Sequence, residues 1–290
     1  ALLQEFRVKY PKHDLAQNLD MRLAAMYEYS GDLQRAVLEY LSLSERAPDK
    51  EARRQAKYRS AEIFLALKDT EKAIEHFRDY AHTYEKPQAI ALEAMHHMDE
   101  LYQRTGETDK QRFWLGKKID AHRAMGSGAT ERSTYLAASA QFVFASDEKQ
   151  KFGKITLTHP LKKSLRRKQS ALKKTLKAYE LAAGYKVAEF ATASTFEIAD
   201  LYRSLSKSIL VSDRPKNLSE LEMAQYEILL EEQAYPFEEQ AISLHEINQQ
   251  KSWAGIYDEW VEKSFVELAE LMPGRYKKPE LEVGYAQAIH

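Results

Sequence analysis

Apolar and small residues recur along most of the chain at steps of three and four residues, the spacing that places them on one face of an α-helix. Short polar turns and prolines separate these stretches, as they do between helices. After a loop near residues 151–160 the stripes lengthen, and one of them contains Leu161, Leu165, Leu172, Leu176 and Tyr179. The pattern therefore predicts an all-α fold with longer helices in the second half.

Two stretches in the first half carry the same residue types at the same spacing. Tyr27, Asp32, Ala36 and Tyr40 are matched, each 37 residues later, by Phe64, Asp69, Ala73 and Phe77. A third copy around Tyr102 is weaker, because Gln111 occupies the position of the small alanine. Repeats of this length predict stacked pairs of antiparallel helices, in which the aspartate caps the second helix and the alanine lets two backbones approach.

These repeats resemble the tetratricopeptide repeat, a helix pair of about 34 residues. The matching residues are Leu23, Ala24, Tyr27, Ala36, Tyr40 and Pro48 in the first copy, and Ala61, Phe64, Ala73 and Phe77 in the second. The copies depart from the repeat at Asp20, Leu43, Ser60 and Tyr80. The resemblance implies a tetratricopeptide-like superhelix of antiparallel helix pairs. Three to four pairs would occupy residues 1–150, and longer, atypical helices with a capping helix would occupy residues 151–290.

Two segments of the second half resemble a narrower group of proteins. Residues 233–239, with the sequence QAYPFEE, and residues 272–276, with the sequence MPGRY, are the most specific parts of this resemblance. They are similar to the C-terminal part of bacterial envelope tetratricopeptide proteins, some described as components of TonB-type systems and others associated with gliding motility. The resemblance implies a periplasmic or envelope-associated protein that recruits such components, while a cytoplasmic location stays open.

Composition limits the chemistry that the chain can perform. It has 290 residues, a formal net charge of −1 and no cysteine, which excludes disulfides, zinc–cysteine sites and thiol catalysis. The net charge selects no class of partner. No apolar run approaches the roughly 20 residues that a membrane-spanning helix needs.

Patterns of catalytic residues are also missing from the sequence. His96 and His97 are adjacent, so they point to different sides of a helix and cannot bind a metal together from one face. The motif His-Glu-x-x-His, a glycine-rich phosphate loop and the motif Gly-x-Ser-x-Gly do not occur. We therefore expect no catalytic residue, no metal site and no cofactor, and a non-catalytic role.

The first helices of tetratricopeptide pairs line a concave groove that binds extended peptides or partner helices. The positions that match the lining places are Asn18, Met21, Glu28, Tyr29, Gln55, Tyr58, Glu62, His96, Glu100 and Arg104. Glu28, Glu62 and Glu100 predict an acidic inner face, which favours a basic or mixed apolar and basic peptide. The alternative interpretation of each residue is a solvated polar helix face.

A basic run follows the loop in the middle of the chain. Between Lys151 and Tyr179 there are ten lysines and arginines and no acidic residue. The candidate patch for an anionic partner is Lys162, Lys163, Arg166, Arg167, Lys168, Lys173, Lys174 and Lys177. Lipid headgroups and an acidic protein face are the favoured partners, since the run lacks the interleaved aromatics of nucleic-acid sites. A solvated helix face is the alternative.

Together these features predict a scaffold or adaptor that holds a protein or peptide partner in a groove, without a nucleic-acid partner. Two other functions stay open. One is a peripheral membrane module that acts through the basic helix at residues 162–177. The other is the docking part of a larger enzyme.

Overall fold

The structure is a computed structural model that describes residues 2–10 and 14–277. Within these residues all regular secondary structure is helical, which confirms the all-α prediction. The helices are α1 (Leu2–Lys9), α2 (Asp14–Tyr29), α3 (Leu33–Arg46), α4 (Lys50–Ala66), α5 (Thr70–Thr83), α6 (Gln88–Thr105), α7 (Thr108–Met125), α8 (Glu131–Gly153), α9 (Leu161–Ala183), α10 (Ala188–Leu210), α11 (Glu220–Lys251), α12 (Glu259–Leu271) and α13 (Pro273–Tyr276). Single 3-10 turns lie at Gly126–Gly128 and Ser252–Ala254.

The chain forms two compact units that divide between Ala137 and Ala138, inside α8. The two regions expected from the sequence meet near residue 150, so residues 138–150 lie in the second unit rather than with the repeats. The reason is that α8 continues without a break, and its later residues Ala145 and Phe152 pack in the core of the second unit.

In the first unit, three antiparallel pairs follow one another: α2 with α3, α4 with α5, and α6 with α7. Asp32 and Asp69 cap the second helix of their pairs, each accepting a backbone hydrogen bond of 3.2 Å from the residue three positions on. The residue before each cap has a positive φ, +81° at Gly31 and +60° at Lys68. Glycine adopts this conformation freely and lysine does so at some cost, so the turn geometry is preserved even where the glycine is lost.

The predicted small positions lie in the buried core between the helices of the first unit. Ala36 and Ala73 are both fully buried, and the aromatic rings of Tyr40 and Phe77 pack in the same core. A larger side chain at either alanine would push the helices apart. This confirms the predicted tetratricopeptide-like arrangement of antiparallel helix pairs.

The third pair is held together differently. Gln111, at the small position, is buried and donates a 3.1 Å hydrogen bond to Oδ1 of Asp99. The other carboxylate oxygen of Asp99 accepts from Lys118, which is also buried. Burial by itself would raise the pKa of Asp99, but the facing side chains of His96, Lys118 and Gln111 hold that pKa below its ordinary value. A buried ion pair thus replaces the apolar contact of the first two pairs.

The second unit contains longer helices, as predicted. Pro236 lies inside α11, which is continuous from Glu220 to Lys251. Leu230 and Ala234, just before the proline, are buried in the core and hold the helix in place although the proline removes one backbone hydrogen bond. After α11 the chain turns at Gly255, and Asp258 caps a new helix, α12.

A polar cluster lies inside the second unit, between α10, α11 and α12. His245, Asn248 and Ser264 are fully buried. Asn248 Nδ2 donates to the backbone oxygen of Thr192 at 3.0 Å and to Ser264 Oγ at 3.1 Å. Nδ1 of His245 lies 3.3 Å from the same hydroxyl oxygen. These bonds tie the three helices together by directional contacts rather than by apolar packing alone.

None of the helices in the described residues is long and apolar enough to cross a bilayer.

Candidate partner-binding groove

The first unit contains a groove of about 430 Å³ between the first helices of its pairs. The lining residues come from α2, α3, α4, α6 and the beginning of α8, and they are Met21, Tyr40, Arg54, Gln55, Tyr58, Arg59, Ala89, Ile90, Leu92, Glu93, Thr130, Arg132 and Ser133. Since these helices follow one another in the repeat, the groove is built by the repeat itself.

Tyr58, in the middle of α4, forms part of the apolar floor. Its ring packs edge-on against Phe77 and Tyr80, with ring centroids 5.8 and 5.1 Å away. Burial raises the pKa of Tyr58, and the nearby carboxylates of Glu62 and Glu93 raise it further, so the phenol stays protonated. The floor therefore offers a fixed, uncharged aromatic surface to an incoming side chain.

Arg54 lies at the base of the groove and is almost completely buried. Its Nη1 donates a 2.6 Å hydrogen bond to the hydroxyl oxygen of Tyr80, and its Nε donates to Glu51 at 2.8 Å. The hydrogen bond with Glu51 raises the pKa of Arg54 although burial acts in the opposite direction. The guanidinium group of Arg54 thus stabilises the contact between α4 and α5, the two helices of the second pair.

Arg59 changes the electrostatics that the sequence predicted. It forms ion pairs with Glu28 on α2 and with Glu62 on its own helix. Arg59 carries one positive charge against two carboxylates, so it offsets part of the acidic character predicted for Glu28 and Glu62 and leaves this cluster with a net charge of −1. The hydrogen bond from Arg59 lowers the pKa of Glu28 despite its partial burial.

Arg132, from the first turn of α8, closes the groove on the other side. Its Nε and Nη2 donate to the two carboxylate oxygens of Glu93 at 2.8 and 3.0 Å. This bidentate pair lowers the pKa of Glu93 and raises that of Arg132.

In both rim pairs the guanidinium is more exposed than its carboxylate partner. The Arg59 side chain is 44% exposed against 22% for Glu28, and the Arg132 side chain is 53% exposed against 29% for Glu93. Both guanidinium groups are thus accessible at the rim, beside the carboxylates that pair with them. The groove presents an apolar floor with an arginine rim.

Three of the ten predicted groove residues line this space, namely Met21, Gln55 and Tyr58. Glu28 and Glu62 lie beside it in their ion pairs with Arg59. Outside the lining are Tyr29, which is 96% exposed at the end of α2, and His96, Glu100 and Arg104 on α6. Asn18 belongs to α2, but its side chain lies outside the described residues.

His96 and Glu100 are neighbours on α6. The imidazole nitrogens of His96 lie 3.7 Å from carboxylate oxygens of Asp99 and of Glu100. The carboxylates on this part of α6 therefore face histidines of the same helix.

The sequence reasoning missed Arg132, although a signal for it was present. Glu93 follows Gln55 by 38 residues, and Arg132 follows Glu93 by 39, so the repeat spacing applied once more reaches Arg132. The aromatic and alanine pattern that marks the earlier copies fades before this point. The first helix of the fourth repeat, α8, is therefore recognised by spacing alone.

The basic residues of the candidate anionic patch lie on α9, in the second unit. Lys168 differs from the others, because it is buried and donates a 2.8 Å hydrogen bond to the backbone oxygen of Ile155. Its ammonium group also lies 4.5 Å from the ring centroid of Phe152. Lys168 therefore fixes the loop before α9 and is not part of the exposed patch. The other seven residues are exposed: Lys162, Lys163, Arg166, Arg167, Lys173, Lys174 and Lys177.

The described residues were also searched for metal-binding geometry. No group of three or more histidine, aspartate or glutamate side chains among them is arranged to hold an ion.

The helix pairs and the groove between their first helices define a helical-repeat protein of the tetratricopeptide-like kind. Folds of this kind typically serve as non-catalytic scaffolds for protein–protein interaction. No protein-family model and no curated protein matches the sequence. Among solved structures, the chain is similar to a tetratricopeptide repeat protein from Parabacteroides merdae, with 18% sequence identity and a TM-score of 0.38, over 93% of this chain and 89% of that one. The fold assignment rests on the helix pairs themselves.

Proposed function

We propose that the chain is a non-catalytic scaffold that binds an extended segment of a partner protein in the groove of the first unit. The observation that carries this proposal is the groove itself, which successive first helices line with an apolar floor and a charged rim. A row of fixed side chains on consecutive helices suits an extended segment, which presents its own side chains at regular intervals.

The side chains of the groove also favour one chemistry in the partner. Met21, Tyr58 and Ile90 supply an apolar floor for one or two apolar side chains. Arg59 and Arg132 expose their guanidinium groups at the rim, where a carboxylate of the partner could accept hydrogen bonds. The segment that fits is therefore apolar and acidic, rather than the basic segment expected from the sequence.

The charged side chains of the groove support a binding role rather than a chemical one. The hydrogen bonds from Arg132 and Arg59 lower the pKa values of Glu93 and Glu28, so both carboxylates are weak bases. Tyr58 keeps its proton because burial raises its pKa. What remains is a rigid surface that recognises shape and charge.

The location of the protein is a separate part of the proposal. Its similarity to envelope proteins at residues 233–239 and 272–276 supports a scaffold of the bacterial envelope that recruits components of a TonB-type or motility system. Fractionation of cells that express the full-length gene tests this part directly. Recovery in the envelope fraction is expected, and recovery with cytoplasmic markers alone would overturn the location without touching the groove.

The groove is tested with two pools of labelled random peptides, one enriched in apolar and acidic residues and one in apolar and basic residues. Fluorescence anisotropy measures the affinity of each pool for the wild type, for Ala89→Trp and for Ala66→Trp. Ala89 is exposed and lines the groove, so a tryptophan there fills it, whereas Ala66 is exposed at the end of α4 and outside it.

The acidic pool should bind the wild type and Ala66→Trp alike, and it should lose at least about tenfold in affinity for Ala89→Trp, a loss of about 1.4 kcal/mol. Equal binding to the two tryptophan variants would place the partner elsewhere. Tighter binding of the basic pool would keep the groove but reject the arginine rim as its recognition element.

A further inference from the structure

The exposed face of α9 carries seven basic side chains, Lys162, Lys163, Arg166, Arg167, Lys173, Lys174 and Lys177. None of its seven exposed basic side chains forms an ion pair with any residue that the structure describes. By contrast, Lys149 and Lys151 on α8 both pair with nearby carboxylates. The cationic side chains of α9 are therefore available to a partner outside the unit.

The seven residues form one stripe along the helix. With 100° per residue, Lys162, Arg166, Lys173 and Lys177 lie within about 60° of one another, and the other three widen the stripe to about 140°. At 1.5 Å per residue the stripe is about 22 Å long. Glu180, one turn beyond Lys177, is the first acidic residue of the helix.

The opposite side of α9 is already occupied. Leu172, Thr175 and Tyr179 are buried, and Leu172 and Tyr179 belong to the core of the second unit. An amphipathic helix that lies free can insert its apolar side into a bilayer, but α9 cannot do so without leaving this core. The basic face can therefore act only by charge, at the surface of its partner.

We propose that this face of α9 binds the surface of an anionic lipid bilayer. Clusters of four to eight lysines and arginines on one helix face are suited to anionic headgroups, and each residue near the surface strengthens binding by about fivefold. Between Lys162 and Lys177 the helix has no aromatic residue on which bases could stack. A broad charged plane is the partner that such a face contacts along its whole length.

This surface is independent of the groove, since every residue in it lies in the second unit. The membrane inference and the groove proposal can therefore fail separately. A variant that changes one of the two surfaces leaves the residues of the other untouched.

The experiment measures co-sedimentation of the protein with phosphatidylcholine vesicles, with and without phosphatidylglycerol. Three proteins are compared: the wild type, the face variant Arg166→Glu/Lys173→Glu/Lys177→Glu, and the control Lys50→Glu/Arg78→Glu/Lys86→Glu. The control changes the net charge by the same amount at exposed residues of the first unit. Circular dichroism establishes that all three remain helical.

The wild type and the control should bind the anionic vesicles, and neither should bind pure phosphatidylcholine. The face variant should bind at least about 100-fold more weakly, from three factors of about five. Binding should disappear near 1 M salt, where the screening length is about 3 Å.

Three results would overturn the inference. Equal losses in the face variant and the control would show that net charge alone attracts the protein. Binding to pure phosphatidylcholine, or binding that persists in 1 M salt, would contradict an electrostatic surface contact. Tighter binding to duplex DNA or to polyglutamate than to anionic vesicles would assign the face to a different class of partner.

Discussion

Arg59 on α4 and Glu28 on α2 form an ion pair that joins the first two helix pairs at the edge of the groove, with Nε of the arginine 3.1 Å from Oε2 of the glutamate. Glu28 also accepts a 3.2 Å hydrogen bond from the hydroxyl of Tyr40. The carboxylate is thus fixed from two sides, and it neutralises part of the positive charge at the rim.

The first prediction follows from this pair. Glu28→Gln removes the negative charge while Arg59 keeps Glu62 as a partner. Because the pair is partly exposed, we expect a loss of unfolding free energy of at most about 1 kcal/mol. The affinity for an acidic peptide should rise by a few-fold, as the rim becomes more positive. Thermal denaturation and peptide anisotropy measure the two effects, and a weaker affinity would contradict the arginine rim.

The second prediction concerns the buried ion pair of the third helix pair. Lys118→Met leaves the carboxylate of Asp99 buried without its cation, so it should reduce the free energy of unfolding by about 3–5 kcal/mol. The double variant Asp99→Leu/Lys118→Met removes both charges and should recover most of that loss. Urea denaturation of the single and double variants measures the coupling. Additive losses would show that the two side chains do not interact.

The third prediction tests the register of the repeats. Ala36→Leu and Ala73→Leu place a large side chain at a fully buried helix contact, and each should cost about 1–3 kcal/mol. Ala66→Leu, at an exposed position in α4, serves as the matched control and should change stability by less than about 0.5 kcal/mol. Melting temperatures that are unchanged in all three variants would reject the proposed contact between paired helices.

The fourth prediction is a pH dependence that originates at His245. Burial and the positive charge of Arg203 lower the pKa of His245 to about 4, although Asp200 acts in the opposite direction. The unfolded chain binds a proton at this imidazole below a pKa of 6.5, and the folded chain binds it only below about 4. The unfolded state therefore takes up more protons in this window, and stability falls as pH decreases through it, by up to about 3 kcal/mol.

His245→Gln provides the control for this titration. It keeps a polar side chain near Ser264 but removes the ionisable group. The range from pH 7 to pH 4 covers both pKa values of His245, 6.5 in the unfolded chain and about 4 in the folded chain. Urea denaturation across this range should show a smaller loss of stability in the variant than in the wild type. Parallel pH profiles of wild type and variant would assign the acid sensitivity to other groups.

The helix pairs could be predicted from the sequence because their signals are local. Asp32 and Asp69 cap helices within three residues, and Ala36 and Ala73 are small at matching positions of the repeat. A helix cap depends on residues close in the chain, and a repeat is visible as a recurring spacing, so both can be read from the sequence.

The charge of the groove could not be predicted in the same way. Glu28 and Arg59 are 31 residues apart, and Glu93 and Arg132 are 39 apart, so their pairing depends on how successive helices are placed. Counting acidic residues at lining positions overlooks the arginines that face them from the next helix. Lys168 shows the same limit, since its burial depends on a loop thirteen residues earlier.

The most direct test of the groove is hydrogen–deuterium exchange of the first unit with and without a saturating acidic, apolar peptide. Bound peptide should slow exchange in the helices that line the groove, α2, α3, α4, α6 and the beginning of α8, and leave α5, α7 and α9 unchanged. Protection limited to α5, α7 or α9, with α4 and α6 unaffected, would contradict the groove as the partner site.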